Sequence, residues 1–454
     1  MQWLRWLSPG MKIKRWVFLF AIGVVFFACG LLLLFKSSFN GQAEISYFYY
    51  FKNIIEETLL SFPVVIIGST LIIGILVMSY SFRKLVASVK HSLFYGEDRS
   101  ILEKVFKESK LAKGPFITVI GGGTGLSMLL SGIKHITGNC SAVVTTADDG
   151  GSSGRLRKEL NIIPPGDLRN CLVSLAETEP LMGKMMQYRF DEKSNLKGHN
   201  LGNLLIAAMA DVEGSMEKGL KAISKILQVR GRVIPATLDK VNLEAEMENG
   251  VRVYGESNIP KAKGKIKSLK MVPMHVNATE SAIEAIKNAD VLILGPGSLY
   301  TSILPNLLIE DIKKAVIESK AVKIYVCNVM TQPGETDGYT ATKHLEKIIN
   351  EVGEQFIDYA IVNKQKASKE QVLKYKAKGS EQVEVDVDAI EQMGIKVIAA
   401  DLLNNSNLVR HNSIVLAQTI IQLIYDLKLI GKGVRFFDYF YVRQTIKTLK
   451  QKNM

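Results

Sequence analysis

Cysteine and histidine are scarce in this chain of 454 residues, which contains four cysteines and six histidines. The cysteines, Cys29, Cys140, Cys171 and Cys327, show no paired spacing, and the histidines are scattered. Disulfide frameworks and zinc sites depend on clusters of these residues at short intervals. We therefore expect neither zinc nor disulfides, which agrees with a reducing compartment.

The two best-known glycine fingerprints for nucleotides are also missing, although the chain has a glycine-rich loop. Residues 120–127 read IGGGTGLS, at the end of an apolar run and the start of a helical pattern. The dinucleotide fingerprint needs a glycine where Leu126 stands, and a Walker loop needs a lysine that this loop lacks. The sequence therefore predicts neither an NAD site nor a P-loop.

This glycine loop nevertheless suits a phosphate group. Glycine lets the backbone turn where a side chain would clash, and it leaves amide groups bare at a helix N-terminus, where N–H donors and the helix dipole attract an anion. A turn that serves packing alone is the alternative. The candidate contacts are Gly122, Gly123, Thr124 and Gly125.

The formal net charge of +13 is large, but it is unevenly distributed. Residues 1–90 hold nine Lys or Arg and three Asp or Glu, so that +6 belongs to this part and +7 remains for the rest. That remainder is modest for so long a segment, so nucleic acid is not an expected partner. Basic residues near the N-terminus suit anionic lipid head groups instead.

Two runs without charged residues lie in this basic N-terminal part. Residues 16–35 and 58–82 are each long enough to cross a bilayer as a helix. A cleaved signal peptide would need a shorter apolar region with a small-residue cleavage site, whereas the first run ends in Leu31–Phe35. Lysine and arginine flank the pair on the outside, and the loop between them holds only Lys36 and Lys52. We expect a membrane anchor with both termini in the cytoplasm.

The composition divides the chain into four parts. Residues 1–90 form the predicted transmembrane hairpin, and the charged, helix-prone residues 91–114 form a linker. Residues 115–430 make up the predicted α/β domain, and residues 431–454 a basic C-terminal tail. The α/β domain is therefore expected in the cytoplasm, attached to the cell membrane.

The α/β assignment comes from short β-rich runs that alternate with helical stretches. Most of these runs are continuously apolar, as expected for strands buried on both faces of a sheet. We predict a mostly parallel sheet with right-handed crossovers and helices on both faces. The candidate strands are residues 116–120, 142–146, 291–294, 324–326, 359–362 and 397–400.

One block has a different pattern. Residues 241–247 and 251–254 are β-rich and flank an Asn249-Gly250 turn, which predicts a β-hairpin. With residues 266–271 it forms a small antiparallel appendage. Its many lysines are interpreted as a solvated surface rather than a binding patch.

Polar loops follow several of the predicted strands. The segment ADDGGSSGRLR at 147–157 combines paired carboxylates, which can hold a ribose hydroxyl or a divalent cation, with two arginines that can neutralise phosphate. A capped surface turn is the alternative. The candidate contacts are Asp148, Asp149, Ser152, Ser153, Arg155 and Arg157.

Four further segments carry hydroxyl, amide or carboxylate groups, at residues 164–170, 198–203, 295–306 and 327–339. Helix capping alone could explain the first two. Because ligands of open α/β sheets bind outside the carboxyl ends of the strands, we expect the loops to share one rim and to bind a nucleotide or nucleotide sugar. No nucleophile–base pair is evident. The candidates are Asp167, Asn170, Asn200, Asn203, Gly297, Ser298, Thr301, Asn306, Asn328 and Thr331.

Six strings in these segments resemble the gluconeogenesis factor family, the YvcK-like branch of the CofD-like superfamily of 2-phospho-L-lactate transferases. The resemblance covers roughly residues 116–430. The strings are IGGGTGLS at 120–127, TADDGGSSGRLR at 146–157, PPGDLRN at 164–170, GHNLGN at 198–203, GPGSLYTSILPNL at 295–307 and CNVMTQPGETDGYT at 327–340.

The resemblance implies a Rossmann-like core and a ligand. The transferase branch moves phospholactate from a guanosine diphosphate donor to a deazaflavin with a divalent cation, whereas the gluconeogenesis branch is similar to binders of UDP-N-acetylglucosamine that act in carbon partitioning and cell shape. It places the nucleotide on the glycine loop and a metal such as Mg²⁺ near Asp149 and Asp167. Asn306 and Arg410 resemble positions linked to the UDP-sugar.

The leading hypothesis is a nucleotide-sugar-binding regulator of carbon partitioning and wall synthesis, in a membrane-anchored variant of the family. No deazaflavin-accepting motif is evident, so that a metal-dependent transferase is the second hypothesis and a ligand-free membrane scaffold the third. The expected partners are the nucleotide sugar, the membrane, a second copy of the chain in a homodimer, and a regulatory protein that the sequence does not identify.

Overall fold

The computed structural model describes residues 13–38, 63–93, 108–109, 111–177, 180–191, 196–404 and 409–427. The predicted C-terminal tail and most of the predicted linker lie outside these ranges. Contacts within the chain separate an N-terminal unit, up to residue 105, from a larger second unit. Each unit is described by itself.

The N-terminal unit contains two long helices, α1 (Ile13–Ser38) and α2 (Pro63–Leu93), which pack against each other. Glycine permits the close approach, because a Cβ atom on Gly74 would lie 2.7 Å from the backbone nitrogen of Phe27. Residues 15–34 and 67–87 are long and apolar enough to cross a membrane. Residues 16–35 of the first predicted span and 63–82 of the second therefore form helices, whose length and composition permit a membrane crossing; residues 58–62 lie outside the described residues.

The second unit is built on a seven-stranded parallel sheet in the order β10-β9-β8-β7-β1-β2-β3. Its inner strands are buried along most of their length, as their continuously apolar sequences require, whereas the edge strand β10 has no fully buried residue. The strands are β1 (Ile117–Gly121), β2 (Cys140–Val144), β3 (Arg232–Pro235), β7 (Val291–Leu294), β8 (Val322–Val326), β9 (Tyr359–Asn363) and β10 (Lys396–Ala400).

Helices cover both faces of this sheet. Val291 and Ile293 of β7 belong to one hydrophobic cluster, and Leu292 and Leu294 to another. Because successive strand side chains point to opposite faces, each cluster marks one helix-covered face. The helices are α3 (Gly123–Ile133), α4 (Gly151–Glu159), α5 (Gly166–Leu175), α6 (Pro180–Gln187), α7 (Leu201–Val212), α8 (Met216–Ile226), α9 (Glu280–Lys287), α10 (Leu304–Leu307), α11 (Glu310–Glu318), α12 (Ala341–Val352), α13 (Lys369–Lys376), α14 (Val387–Gln392) and α15 (Ser413–Asp426).

A second, three-stranded antiparallel sheet is inserted between β3 and β7. It has the order β5-β4-β6 and contains β4 (Asn242–Met247), β5 (Arg252–Tyr254) and β6 (Ile266–Val272). The alternating burial of β4 explains its alternating sequence, since one face packs on the core. The predicted hairpin and its third strand are confirmed.

The order of the parallel strands creates one switch point. From β1 the chain proceeds to β2 and β3 on one side, and it later returns to β7 on the other side of β1. The helices that follow β1 and β7 therefore lie on opposite faces of the sheet and leave a crevice outside the carboxyl ends of these two strands. The glycine loop and the Gly295–Ser302 loop meet at this crevice.

Candidate functional site

The loops after β1 and β7 pack backbone against backbone, which requires glycine. A Cβ atom on Gly125 would lie 2.5 Å from the carbonyl oxygen of Pro296. Gly123 has a φ of +67°, a left-handed conformation that L side chains rarely adopt. The glycines thus bring two loops together at the switch point, and packing is part of their role.

The N-terminus of α3 lacks a side-chain cap. The N–H group of Gly123 donates a hydrogen bond of 2.7 Å to Oδ2 of Asp167. Thr124 and Gly125, the next two residues, lie in the first turn, whose N–H groups have no carbonyl partner within the helix. These two amides therefore remain available to an anion.

A cavity of about 550 Å³ opens beside this helix end. We call it the switch-point cavity. One wall comes from the loops after β1 and β7, the floor from the loop after β8, and the opposite wall from residues near α13 and from the segment before α15. Its lining residues are Gly122–Gly125, Met128, Pro296–Ser298, Ser302, Asn328–Pro333, Tyr375, Lys378, Ser380 and Val409–His411.

Among the described residues, the lining of the switch-point cavity contains two cationic side chains and no aspartate or glutamate. Lys378 and Arg410 are both exposed, and neither has a carboxylate within 4.0 Å in the described part of the chain. His411 is buried, and burial lowers the pKa of its imidazole to about 4, so that it is neutral at pH 7. The cavity therefore suits an anionic ligand.

Hydroxyl and amide groups hold the loop after β7 in place. Asn328 accepts a 3.2 Å hydrogen bond from the Gly297 N–H and donates one of 2.7 Å to the Gly297 carbonyl. Ser298 donates to the buried carboxylate of Glu335 and accepts a 2.6 Å bond from the Thr301 hydroxyl. These contacts fix the loop that forms one wall of the cavity.

Asn306 lies behind the glycine loop and does not line the cavity. Its side chain is fully buried, and its amide donates to the carbonyl oxygens of Ser302 at 2.7 Å and Gly121 at 3.3 Å. Its side-chain oxygen has no partner. Asn306 therefore ties the ends of β1 and of the Leu299–Ile303 π-helix together.

Another group of predicted residues forms a hydrogen-bonded network beside the cavity. The Ser152 hydroxyl accepts bonds of 3.1 Å from the Asn200 N–H and from the Asn203 amide. Asn203 accepts from Arg169 at 2.8 Å, and Arg169 donates to Asn170 at 2.7 Å. The network joins the N-terminal ends of α4, α5 and α7. Asn200 also caps α7, as capping alone would predict.

Five carboxylates, Asp148, Asp149, Asp167, Glu256 and Glu335, interact electrostatically beside this network, and we call them the carboxylate cluster. Burial, together with the charge of Asp148, raises the pKa of Glu256 to about 8. Burial likewise raises the pKa of Asp167 to about 6. Glu256 and Asp167 therefore exchange protons near neutral pH, whereas no described carboxylate lines the cavity.

Asp149 attaches the three-stranded sheet to the loop after β2. Its Oδ1 accepts a 2.9 Å hydrogen bond from the Ser257 N–H, and a Cβ atom on Gly255 would lie 2.4 Å from its Oδ2. Gly255 has a φ of +92°, so that the turn after β5 can approach this closely. The turn carries Glu256 into the carboxylate cluster, a contribution that the sequence did not indicate.

The remaining residues of the loop after β2 have separate roles. Ser153 is buried and hydrogen-bonds Asp148. Arg157 is half-buried, and its pKa is lowered by burial, although the charge of Asp149 raises it. Arg155 is exposed and points toward Gly198, since a Cβ atom there would lie 3.0 Å from its guanidinium. None of the three lines the switch-point cavity.

The pair implied as a metal region, Asp149 and Asp167, is already engaged by backbone N–H donors. In the ranges that the structure describes, no three Asp, Glu, His or Cys side chains are grouped closely enough to hold a metal ion. In this arrangement the two carboxylates hold backbone segments in place and do not fit a ready metal centre. A magnesium site here stays a prediction.

The predicted site residues thus divide into two groups. Those that line the cavity are Gly122, Gly123, Thr124, Gly125, Gly297, Ser298, Asn328, Thr331 and Arg410. The others surround it. Lys378, Tyr375 and His411 line the cavity but carry no sequence signal of ligand binding. Lys378 in particular follows a lysine-rich helical stretch, a pattern that is typical of a solvent-exposed surface.

Comparison with known proteins assigns this site to a family. The family model described as 2-phospho-L-lactate transferase CofD matches residues 117–403, which span every strand of both sheets. The chain belongs to the CofD family.

Within the CofD family this chain is similar to the gluconeogenesis factors. The gluconeogenesis factor of Bacillus subtilis is 44% identical over 70% of this chain and 100% of its own length. A relative from Nostoc sp. with the gluconeogenesis factor name is 43% identical over 93% of this chain and 92% of its own length. This alignment extends beyond the α/β domain into the N-terminal part, whereas the B. subtilis relative lacks a counterpart of that length.

A solved structure supports the same assignment. The crystal structure of a Bacillus halodurans protein described as a member of the UPF0052 family has a TM-score of 0.66 and 46% identity. It covers 68% of this chain and 99% of that one. The Rossmann-like α/β fold that the resemblance implied is therefore confirmed.

Proposed function

We propose that the α/β domain binds a nucleotide sugar of the UDP-N-acetylglucosamine type in the switch-point cavity. The observation that carries this proposal is the charge pattern of the lining. The N–H groups of Thr124 and Gly125 in the first turn of α3 share the cavity with Lys378 and Arg410, and no carboxylate lines it among the described residues. A diphosphate satisfies both kinds of donor at once.

The rest of the lining supports a ligand larger than a phosphate ion. Met330, Val409 and Tyr375 provide apolar surface, and Thr331 and Gln332 add polar atoms. A volume of about 550 Å³ lies within the range of small-molecule sites, roughly 300–1,000 Å³. Base and sugar rings can use this mixed surface while the phosphates use the charged part.

We further propose that binding serves regulation of carbon partitioning, wall synthesis and cell shape. The serine hydroxyls act as loop contacts: Ser298 donates to Glu335, and Ser152, which lies 3.5 Å from Nδ1 of His199, accepts from Asn200 and Asn203. A structural role for both serines supports regulation rather than turnover. The gluconeogenesis factor name of the relatives supports a role in carbon metabolism.

We also propose that α1 and α2 anchor the protein in the cell membrane with both termini in the cytoplasm. Their apolar length and the basic residues outside the pair support this orientation. Extraction of membranes with alkaline carbonate should leave the full chain in the pellet. Protease treatment of inside-out vesicles should remove tags from both termini, and protection of either tag would overturn the orientation.

Calorimetric titration of the full chain in detergent tests the ligand. UDP-N-acetylglucosamine or UDP-glucose should bind with a Kd in the micromolar range, as ordinary for a small-molecule site. NAD serves as a control of similar charge and size and should not compete. If no UDP-sugar binds at millimolar concentration, the proposed nucleotide-sugar site is wrong.

A metal-dependent transferase is the second candidate, because the matched family model bears the phospholactate transferase description and the carboxylate cluster lies next to the cavity. Incubation of the full chain with Mg²⁺, a guanosine diphosphate-linked phospholactate donor and a deazaflavin should then give a new product. The regulator hypothesis predicts no product under conditions in which UDP-sugars bind.

A further inference from the structure

The wall opposite the glycine loop rests on one peripheral element, helix α13. None of its eight residues is buried, although a capping box of Ser368 and Gln371 defines its start. Tyr375 and, just beyond its end, Lys378 nevertheless reach the switch-point cavity. A peripheral helix, which packs on the hydrophobic cluster of Val329, Met330, Leu403 and Val409 through Tyr375, therefore supplies part of the ligand site.

Two sets of hydrogen bonds attach this element to the site. The Thr331 carbonyl accepts a 2.5 Å bond from the Ser380 hydroxyl, and Thr331 exchanges backbone and side-chain bonds of 2.7 and 2.9 Å with Glu381. The Tyr375 hydroxyl accepts a 3.1 Å bond from the Val409 N–H. Because Arg410 follows Val409, the second contact holds the segments that carry both cations side by side.

The strand order gives the distance that these cations must cover. Thr331 belongs to the loop after β8, which lies two strands from β1 in the sheet. Neighbouring strands are ~4.8 Å apart, so that the ends of β8 and β1 are separated by roughly 10 Å. A lysine side chain extends over several ångströms and can therefore reach an anion bound at Thr124 and Gly125.

We propose that Lys378, together with Arg410, forms an anion clamp that closes on the diphosphate of the bound ligand from the side opposite the α3 N-terminus. This inference rests on the proposed function and deepens it, because it identifies Lys378 as a ligand contact. It also means that ligand charge draws the peripheral segment 368–380 onto the site, so that binding orders this segment.

The full chain in detergent, titrated with UDP-N-acetylglucosamine and separately with inorganic pyrophosphate, tests the clamp. Lys378→Ala should weaken both probes about tenfold, as loss of one charge-assisted contact does. Lys378→Arg should stay within about threefold of the wild type, since it retains the charge. Lys376→Ala is the matched control, because Lys376 is exposed on α13 and does not line the cavity.

The salt dependence of the affinity and amide hydrogen exchange are two further measurements. Neither would change if Lys378 had only a structural role. Raising NaCl from 50 to 300 mM should weaken the wild type more than Lys378→Ala, because screening acts on one contact fewer. Saturating UDP-N-acetylglucosamine should slow amide exchange in residues 368–380 of the wild type. When Lys378→Ala is saturated with the same ligand, amide exchange in residues 368–380 should stay at the rate of the ligand-free variant.

The outcomes separate the clamp from the proposed function. If UDP-N-acetylglucosamine binds Lys378→Ala as tightly as the wild type, the clamp is wrong and the ligand assignment stands. If pyrophosphate binding depends on Lys378 while no UDP-sugar binds better than pyrophosphate, the clamp stands and the nucleotide sugar is wrong. Failure of the wild type to bind either probe overturns both.

Discussion

The switch-point cavity and the carboxylate cluster both adjoin the glycine loop, yet they have opposite chemistry. Among the residues that the structure describes, the cavity lining holds Lys378 and Arg410 and no acid, whereas five carboxylates interact with one another outside that lining. Gly123 belongs to both regions, since it lines the cavity while its N–H is bonded to Asp167. One loop thus serves two purposes, attachment to the scaffold and presentation of amides to a ligand.

This difference between the two regions distinguishes the regulator hypothesis from the transferase hypothesis. An anion-binding regulator needs the cavity, and the cluster then acts only through the positions of loops. A metal-dependent transferase needs the cluster itself to hold a cation against the phosphates. Variants placed in one region or the other should therefore have different effects on binding.

The largest effect is expected from Gly125→Ala. The added methyl group would lie 2.5 Å from the Pro296 carbonyl, so that the loops after β1 and β7 must separate. We expect binding of UDP-N-acetylglucosamine, measured by calorimetry, to weaken by at least about 100-fold, a displacement cost of about 3 kcal/mol. Gly183→Ala is the control, because a Cβ atom there meets nothing within 4 Å. Unchanged affinity in Gly125→Ala would remove the glycine loop from the site.

Arg410→Ala should have the next largest effect. It removes a cation from the cavity and leaves the fold intact, because the side chain is exposed. The expected loss in affinity is about 10- to 50-fold for UDP-N-acetylglucosamine, the effect of a charge-assisted contact to phosphate. Arg252→Ala, on the exposed surface of β5, should bind like the wild type. Equal affinity of Arg410→Ala and Arg252→Ala would remove Arg410 from the ligand site.

Asp167→Asn should act in the opposite direction. It keeps an oxygen for the Gly123 N–H and removes a negative charge next to the anion site. We expect binding in the absence of Mg²⁺ to become about threefold tighter, a gain below 1 kcal/mol. If Asp167 held a metal for the ligand, the variant would bind more weakly and the wild type would require Mg²⁺.

The same variant should alter the pH dependence of stability. The folded-state pKa of Asp167 is about 6, above its ordinary value of 3.8, so that folding favours the protonated form. Its stabilising contribution is complete below pH 3.8 and is lost as the pH rises through about 6. Between pH 4 and 7.5, urea unfolding of Asp167→Asn should lose on the order of 2–3 kcal/mol less stability than the wild type. Parallel pH profiles would contradict this assignment.

Asp149→Ala should have the smallest effect on binding. It removes the acceptor of the Ser257 N–H and loosens the turn that carries Glu256. We expect faster amide exchange in residues 255–258 and a stability loss of about 1–2 kcal/mol, while affinity changes less than about twofold. A loss of Mg²⁺-dependent binding or of transferase turnover would instead make Asp149 a metal ligand.

Much of the fold could be predicted because local pattern and tertiary context agree. The six predicted parallel strands are confirmed, with ends displaced by up to two residues, since continuously apolar runs fit a sheet covered on both faces. The edge strand β3 was missed. It has four residues, begins with the exposed Arg232 and ends at Pro235, so that no apolar run marks it.

The site was predictable only in part. Glycine and hydroxyl loops at strand ends indicated the rim, because the carboxyl ends of parallel strands lie together. The division between cavity and cluster depends on side-chain directions, which a loop sequence does not fix. Lys378 and Glu256 join the site through contacts between segments far apart in the chain, and neither stands in a recognisable motif.

A crystal structure of the protein soaked with UDP-N-acetylglucosamine tests the central claim most directly, since the two regions offer separate positions for the diphosphate. The account predicts diphosphate density between the N–H groups of Thr124 and Gly125 and the side chains of Lys378 and Arg410, with no cation at Asp149 or Asp167. Density for the diphosphate on the carboxylate cluster, bridged by a metal ion, would contradict it.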